Sequence, residues 1–566
     1  MLHDAAAVTL GNIEACDPAS FQTLDAGFDA ARAINAPINF IDARGCRTVT
    51  TTTELWNDAL SALASLQRKG PTRGSRVIIF VDDGHLFLVY FWACVLGGIV
   101  PAPLTVNRTA GGKAKLLKVC DRLCPSAILV EHDTERDVEQ WLQQHSPTST
   151  TLVVANRRQD FEPEAANRQR FAPDDLAFIQ FSSGSTGDPK GVMLTHGNLV
   201  ANIEAIGTGI ALTQCDRVVS WLPLSHDMGL IGFHLTPLIW NVPLTIMSPK
   251  LFFRAPMRWV ECLSQERATI SGCPSFGLRH VLRAFRRSYP TNADLSALRL
   301  LVNGAEPVSW SLCQAFLDAF GDSGLRRETM FPVYGLAEAT VAVTFPRLGE
   351  PMKAIWLHKS SMIENDKIVI GPPEDPEGMP VVSVGAAVAN CQISILDEEG
   401  KRKNDGHAGS IHVSGKSVSR GYFGDPPGGQ AASRDTGDIG VILDGDLYVL
   451  GRRKDVYIRD GSKYHLSDLD IVCHTAVEES CLAVACAVVR PFDQSQGERL
   501  IAFVEDKRAN LDLKSISATL NRATYHYFAL KLDEVARVPK LPRTTSGKIQ
   551  RQELVDWWRK CQLKQA

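Results

Sequence analysis

Short apolar, β-branched runs separated by longer stretches of helical periodicity set the texture of the first two thirds of the chain. Residues 76–81, 127–130, 151–154, 218–222 and 299–302 are such runs. Apolar on both faces and too short for helices, they predict parallel strands covered by helices on either side. The segment from Leu86 to Leu104 carries no charged residue and is about as long as a bilayer crossing. Gly97-Gly98 and the prolines Pro101 and Pro103 interrupt it, so the pattern predicts a buried helix over 86–96 and a buried strand from near Ile99, not a membrane span. From about Pro380 the texture changes to short strands and Gly-rich turns, among them 392–400 and 410–415, which predict a smaller β-rich subdomain. From Gly451 on, charged turns, strands around 483–489 and 500–504, and helices predict a separate C-terminal unit of about 110 residues. The expected fold class is α/β: a large N-terminal domain over 1–450, with parallel sheets and a β-rich subdomain, and a small α+β domain over 451–566.

Length agrees with that division, because 566 residues exceed what one compact core supports. A net charge of −3 gives no electrostatic footprint for nucleic acid or an anionic membrane. The 14 cysteines are scattered without a paired metal-ligand spacing, and Cys120 with Cys124 has no matching second pair. Met1-Leu2-His3-Asp4 opens neither the basic start nor the continuous apolar stretch of a signal peptide. Reduced thiols in a cytoplasm are the resulting expectation.

Candidate chemistry begins at Ser182-Ser183-Gly184-Ser185-Thr186-Gly187-Asp188-Pro189-Lys190-Gly191. Small hydroxyls and glycines let backbone N–H and side-chain O–H groups crowd around phosphate oxygens, and Lys190 adds a positive charge. The stretch is not a Walker A loop, in which the lysine would follow a glycine directly and precede Ser or Thr. Here it follows Asp-Pro and precedes Gly-Val. The apolar run 176–181 predicts a buried strand feeding the loop, and a helical pattern starts at His196.

Further along come Tyr334-Gly335-Leu336-Ala337-Glu338-Ala339-Thr340, then Asp435-Thr436-Gly437-Asp438, then Gly451-Arg452-Arg453-Lys454-Asp455, and finally Leu541-Pro542-Arg543-Thr544-Thr545-Ser546-Gly547-Lys548-Ile549. They offer in turn an aromatic face beside a carboxylate, a carboxylate suited to ribose hydroxyls, a guanidinium, and one lysine on a Gly-containing turn. Taken singly, Glu338, Asp438 and Lys548 read as ordinary solvated charges; their shared order makes the case.

In this order the motifs resemble the acyl-adenylating superfamily, which includes acyl-CoA synthetases, luciferases and the adenylation domains of peptide synthetases. The likeness covers nearly the whole chain. Within the superfamily it is nearest in kind to the fatty acyl-AMP ligases, on Trp221-Leu222-Pro223-Leu224-Ser225-His226-Asp227-Met228-Gly229-Leu230-Ile231-Gly232, on Asn303-Gly304-Ala305-Glu306-Pro307-Val308, and on the Leu-Ala-Glu-Ala-Thr form at 336–340. Residues 351–380 correspond to the region where those ligases carry an insertion. His465 and Asp470 stand where relatives commonly have Pro and Glu, a departure that bears on the thiol-transfer state.

The resemblance implies a large domain that holds ATP and a carboxylic acid, and a mobile C-terminal domain that closes over them. Ser182, Ser183, Gly184, Ser185, Thr186, Gly187 and Lys190 would hold the β- and γ-phosphates. Gly304, Ala305 and Glu306 would frame the adenine with Tyr334 and Gly335, and Asp438 with Arg452 would bind the ribose. Glu338 would ligate Mg²⁺. Lys548 would reach the attacking carboxylate and the α-phosphate, and His226 joins it and Glu338 among the catalytic candidates. Lys454 lies at the hinge position. Asp227, Met228, Gly229, Ile231, Phe276 and Leu336 would line the acyl pocket with His226, a mostly apolar set that suits an alkyl chain.

The Phe-Asp type motif that holds an α-amine in peptide synthetases is absent at the corresponding place, while Asp227 leaves a cationic group on an unusual acid open. The subgroup's acceptor is the phosphopantetheine arm of an acyl carrier protein. Arg279, Arg283, Arg286 and Arg287 form a basic cluster on a predicted helix, either a solvated face or a surface for an acidic carrier. Two other readings stay open. One is an acyl-CoA synthetase using free coenzyme A. The other is adenylation of a small amino or otherwise functionalised acid for a polyketide or nonribosomal peptide assembly line.

Overall fold

The computed structural model describes residues 21–145, 150–156, 162–182, 189–286, 292–358, 367–373, 378–425, 433–459, 462–477, 482–489, 498–506, 511–528, 530–543 and 549–563. β1 (Pro37–Ile41) and β2 (Arg47–Thr51) pair antiparallel. β3 (Arg76–Phe80), β4 (Val100–Pro103), β5 (Ala127–Val130) and β6 (Thr151–Val154) then pair in parallel in the order β4-β3-β5-β6. β7 (Leu176–Ser182) and β8 (Lys190–Thr195) form an antiparallel hairpin with Ser182 opposite Lys190. β9 (Val218–Ser220), β10 (Leu244–Met247), β11 (Ile270–Gly272), β12 (Leu300–Asn303) and β13 (Met330–Pro332) join β1 in a seven-stranded sheet ordered β13-β12-β11-β9-β10-β1-β2, parallel except at β2. Helices cover these sheets, which is why β4, β5 and β10 are buried along their whole length.

The stretch between Ser182 and Lys190 therefore connects a hairpin, where the sequence suggested a strand feeding a loop that leads to a helix. Lys190 and Gly191 at the head of β8 interrupt its apolar pattern and hide it. The helix His196–Gly209 follows at once, because Thr195 and Asn198 form a reciprocal capping box.

The uncharged segment near residue 90 is a helix, Gly84–Gly97, capped by the Asp83 side chain and closed by Gly98 at φ +65°. Its 14 residues are buried from Leu86 onward and span only about 21 Å, short of a bilayer's ~30 Å hydrocarbon core. Among the described residues no helix is long and apolar enough to cross a membrane.

Strands Cys391–Leu396, Gly409–Gly415, Arg434–Leu443 and Asp446–Arg452 build a four-stranded antiparallel sheet. Farther on, Val484–Val489, Arg499–Glu505 and Glu534–Val538 form a small mixed sheet packed with helices Leu466–Ala476, Leu513–Phe528 and Arg551–Leu563. The boundary expected at 450/451 falls inside the strand Asp446–Arg452, and the chain leaves that sheet at the turn carrying Lys454. An apolar cluster runs across this point, from Ile355, Val381, Val441 and Leu450 to Tyr457, Leu469 and Leu530.

Two buried histidines give the fold a pH dependence. The Leu24 amide donates to His196 Nδ1 at 3.1 Å, and Trp92 Nε1–H donates to His234 Nε2 at 3.1 Å, so each ring must stay neutral to accept. Burial pushes His196 down to about 4 and His234 to about 3, below the ~6.5 of an unfolded chain. The unfolded state then binds more protons as pH falls. Their contribution is intact above ~6.5 and is lost on acidification at up to ~1.4 kcal/mol per pH unit per histidine. The urea midpoint should drop steadily from pH 6.5 to 5, with a shallower slope in His234→Gln. A flat profile over that range would contradict the neutral-acceptor assignment.

Candidate active site

The carboxyl ends of the parallel strands open onto a cleft of about 2830 Å³, several times a usual small-molecule pocket of ~300–1,000 Å³. It is lined by segments 222–228, 248–250, 305–309 and 333–338 and by segments 452–455, 540–543 and 549–553 of the C-terminal region. A crevice beyond strand carboxyl ends is where open α/β sheets bind ligands.

On one side of the cleft, Tyr334 O–H donates to Asp438 Oδ2 at 2.7 Å while Arg452 Nε lies 3.1 Å from Asp438 Oδ1. The strand pairing that sets Asp438 opposite Arg452 fixes this geometry. Burial and the Asp438 charge hold the Tyr334 phenol well above its ordinary value, so it remains a donor. Gly335 is required here, because a Cβ would sit 1.8 Å from the Val341 carbonyl oxygen. The loop before it turns at Ala305, whose φ of +68° lies in the left-handed region. Glu306 accepts from the Phe276 amide and so ties this loop to the start of helix Ser275–Phe285.

At the β7–β8 hairpin, Ser182 ends β7 and Ser183, Gly184, Ser185, Thr186 and Gly187 lie outside the described residues. Lys190, which opens β8, stands with its Nζ 4.7 Å from the centroid of the Tyr422 ring. Tyr422 O–H donates to Glu338 Oε1 at 2.7 Å, and Arg434 packs 5.1 Å from the same ring. Burial and the Glu338 charge hold the Tyr422 phenol up, so it too remains a donor. Residues 416–423 strap this group together. The Asn198 side chain donates to Lys416 and Val418 carbonyls at 2.7 and 3.1 Å, and Ser419 N donates to Glu338 O at 2.8 Å. Phe423 N donates to Gly191 O at 2.7 Å. Sequence reasoning passed over Tyr422, because a lone aromatic in Arg420-Gly421-Tyr422-Phe423 carries no periodic or motif signal.

A third set runs along Met228–Leu235, a π-helical turn. His226 Nδ1 lies 2.6 Å from Asp227 Oδ1, whose carboxylate also caps the turn through the Met228 amide at 2.7 Å. Met228, Asp227, Phe276 and Leu336 lie on the cleft wall. Gly229 and Ile231 do not: Gly229 packs against the Pro223 carbonyl, and Ile231 is fully buried in the core behind the wall. Positions four apart share a helical face, so the neighbour of Met228 in the cleft is Gly232, where a Cβ would meet nothing within 4 Å. An apolar arm continues past Gly232 along Ile206, Ile210, Phe233, Pro237 and Phe345.

Lys548 lies outside the described residues, but both ends of its turn are placed. Arg543 and Ile549 form a β-bridge, and Gln550 N donates to Pro542 O at 2.9 Å. Arg551 pairs with Asp470 at 2.7 Å, and Asp470 also accepts from the Cys486 amide. The Arg551–Asp470 pair ties the start of helix Arg551–Leu563 to helix Leu466–Ala476, which begins beyond the turn carrying Lys454. Arg551, Asp470 and Lys454 all line the cleft. Among the described residues no group of three or more His, Cys, Asp or Glu could hold a metal ion by itself.

The family model of AMP-binding enzymes matches residues 32–423. The chain is 28% identical over 520 residues to the medium-chain-fatty-acid–[acyl-carrier-protein] ligase JamA of Moorena producens, covering 87% of this chain and 86% of that protein. It is 29% identical over 551 residues to a putative acyl-CoA synthetase of Caulobacter vibrioides, covering 94% of each. Among solved structures it matches a fatty acyl-adenylate ligase, from work on the enzymes of E. coli and L. pneumophila, with a TM-score of 0.85 at 28% identity over 96% of this chain and 99% of that one.

Proposed function

The chain belongs to the AMP-binding enzyme family, and from that membership we propose that it joins a fatty or related carboxylic acid to AMP for transfer to the phosphopantetheine thiol of an acyl carrier protein. It is an acyl-AMP ligase of the acyl-adenylating superfamily, with ATP as a substrate. The observation that carries the reading is one cleft shared by three groups: the Tyr334–Asp438–Arg452 clamp, the Lys190–Tyr422–Glu338 group and the apolar arm past Gly232.

In this reading Asp438 accepts from the ribose hydroxyls, held in place by Tyr334 and Arg452. Ala305, Glu306 and the Tyr334-Gly335 backbone bound the adenine, and residues 182–190 cradle the outer phosphates with Lys190 as counter-charge. Glu338 suits Mg²⁺, a hard cation, because its half-buried carboxylate retains acceptor capacity after one oxygen takes the Tyr422 proton donor. Bound there, Mg²⁺ would supply charge neutralisation to the departing pyrophosphate. The acid's carboxylate must approach a polyanion, and Lys548 offsets that repulsion while holding carboxylate and α-phosphate in line. The carboxylate oxygen bonds to the α-phosphorus, the bond to the β-phosphate oxygen breaks, and acyl-AMP and pyrophosphate result. His226, with its Nδ1 2.6 Å from the Asp227 carboxylate, lines the same cleft and would meet the acid there.

Residues 1–450 would act as the substrate-holding domain and 451–566 as the domain that swings about Lys454 to admit the thiol. Arg279 lies on the cleft wall and Arg286 is exposed nearby, a charge pattern that suits an acidic carrier. The Caulobacter relative's name favours a second acceptor, free coenzyme A. Weighing the products formed from ATP, Mg²⁺, a panel of acids and coenzyme A tests both.

A further inference from the structure

Three parts of the phosphate side come from distant stretches of sequence: Lys190 at the head of β8, Glu338 in the turn after β13, and Arg434 at the start of strand Arg434–Leu443. Among the described residues no hydrogen bond links Lys190 to Glu338. What joins them is one side chain. Tyr422 touches all three, by its O–H on Glu338 at 2.7 Å and by its ring against Lys190 at 4.7 Å and Arg434 at 5.1 Å. Both cations lie within the ~6 Å over which a ring quadrupole attracts them.

We infer that Tyr422 is a positioning residue for the adenylation step: its hydroxyl orients the Glu338 carboxylate toward a divalent cation, and its ring sets Lys190 and Arg434 around the outer phosphates. This rests on the reading of Glu338 as a Mg²⁺ ligand. A carboxylate on a short 3₁₀ turn, Ala337–Ala339, can rotate its oxygens; a proton donor on one oxygen fixes the plane and aims the other. Hydrogen-bonded partners of ligating carboxylates commonly matter about 10- to 100-fold for metal affinity or activity. Holding two cations against one ring also stores repulsion between them, which a polyphosphate relieves. The backbone around Tyr422 is pinned to both parts it serves, through Ser419 N on Glu338 O and Phe423 N on Gly191 O, so the ring has little freedom to follow a displaced partner.

Two variants separate the hydroxyl from the ring. Tyr422→Phe keeps the ring and removes the donor; Tyr422→Leu removes both. The measurements are ATP binding by calorimetry across a Mg²⁺ titration, and thiol transfer from supplied acyl-AMP, a step that uses neither group. Tyr422→Phe should raise the Mg²⁺ concentration for half-maximal enhancement of ATP binding about 10-fold, leave metal-free ATP binding unchanged, and leave transfer from acyl-AMP unchanged. Tyr422→Leu should weaken metal-free ATP binding as well. A Mg²⁺ dependence in Tyr422→Phe equal to that of the unaltered protein would overturn the inference, as would equal losses in binding and in acyl-AMP transfer. Glu338→Gln measured alongside distinguishes the two levels. If it too leaves the Mg²⁺ dependence unchanged, the metal-ligand reading fails; if it shifts the dependence and Tyr422→Phe does not, the role of Tyr422 alone fails.

Discussion

Lys548→Ala should abolish acyl-AMP formation, by a factor on the order of 10²–10³ or more, while leaving thiol transfer from supplied acyl-AMP within a few-fold of normal. The asymmetry follows from where charge must be offset. A carboxylate meeting an α-phosphate brings two anions together, and a lysine held between them acts only while that bond forms. Transfer to a thiol starts from the mixed anhydride, which no longer carries the carboxylate charge. The described residues on either side of Lys548 are fixed by the Arg543–Ile549 bridge and by Arg551 on Asp470. Burial raises the Asp470 carboxyl even against Arg551, so this anchor depends on the pair staying together. Lys540 is another cation lining the cleft and serves as the control. Full ATP–pyrophosphate exchange in Lys548→Ala, with loss in Lys540→Ala, would move the role to Lys540.

Gly232→Trp should convert chain-length preference without unfolding the protein. The position faces open space in the cleft, so the indole extends into the apolar arm instead of the core. An arm closed to four methylenes forfeits ~0.8 kcal/mol for each, about 3 kcal/mol or on the order of 200-fold in kcat/KM for a long acid. A short acid such as butyrate should change by no more than a few-fold. Rates measured along a series of straight-chain acids decide it: a uniform fall at every length, or no change at dodecanoate, would place the acyl chain elsewhere.

Much of this was legible in the sequence because it is written in local pattern. The buried strands Arg76–Phe80 and Ala127–Val130 and the uncharged helix Gly84–Gly97 announce themselves by composition, and Gly97-Gly98 by its break. The order of the motifs gave the family, which the AMP-binding match over 32–423 bears out. What was illegible depends on contacts between distant residues. β8 was hidden by Lys190 and Gly191 at its head, and it pairs with β7 only through the closed hairpin. Tyr422 acquires meaning from Glu338, 84 residues away in sequence. Gly229 and Ile231 were assigned to the acyl wall by their place in a motif, but the π-helical turn brings Met228 and Gly232 to the cleft and turns those two inward. Gly232 stood in the same quoted stretch, and only the pitch of the helix could single it out.

The protein should make and hold an acyl-adenylate for a carrier-bound thiol. Mass spectrometry of a reaction containing the protein, ATP, Mg²⁺, a panel of carboxylic acids and free coenzyme A tests it most directly. Accumulation of pyrophosphate and one acyl-AMP, with no acyl-CoA until a phosphopantetheine-bearing carrier is added and acylated, is the predicted result. Acyl-CoA formed in the absence of a carrier would contradict the assignment of acceptor, and orthophosphate without any acyl-AMP would contradict adenylation itself.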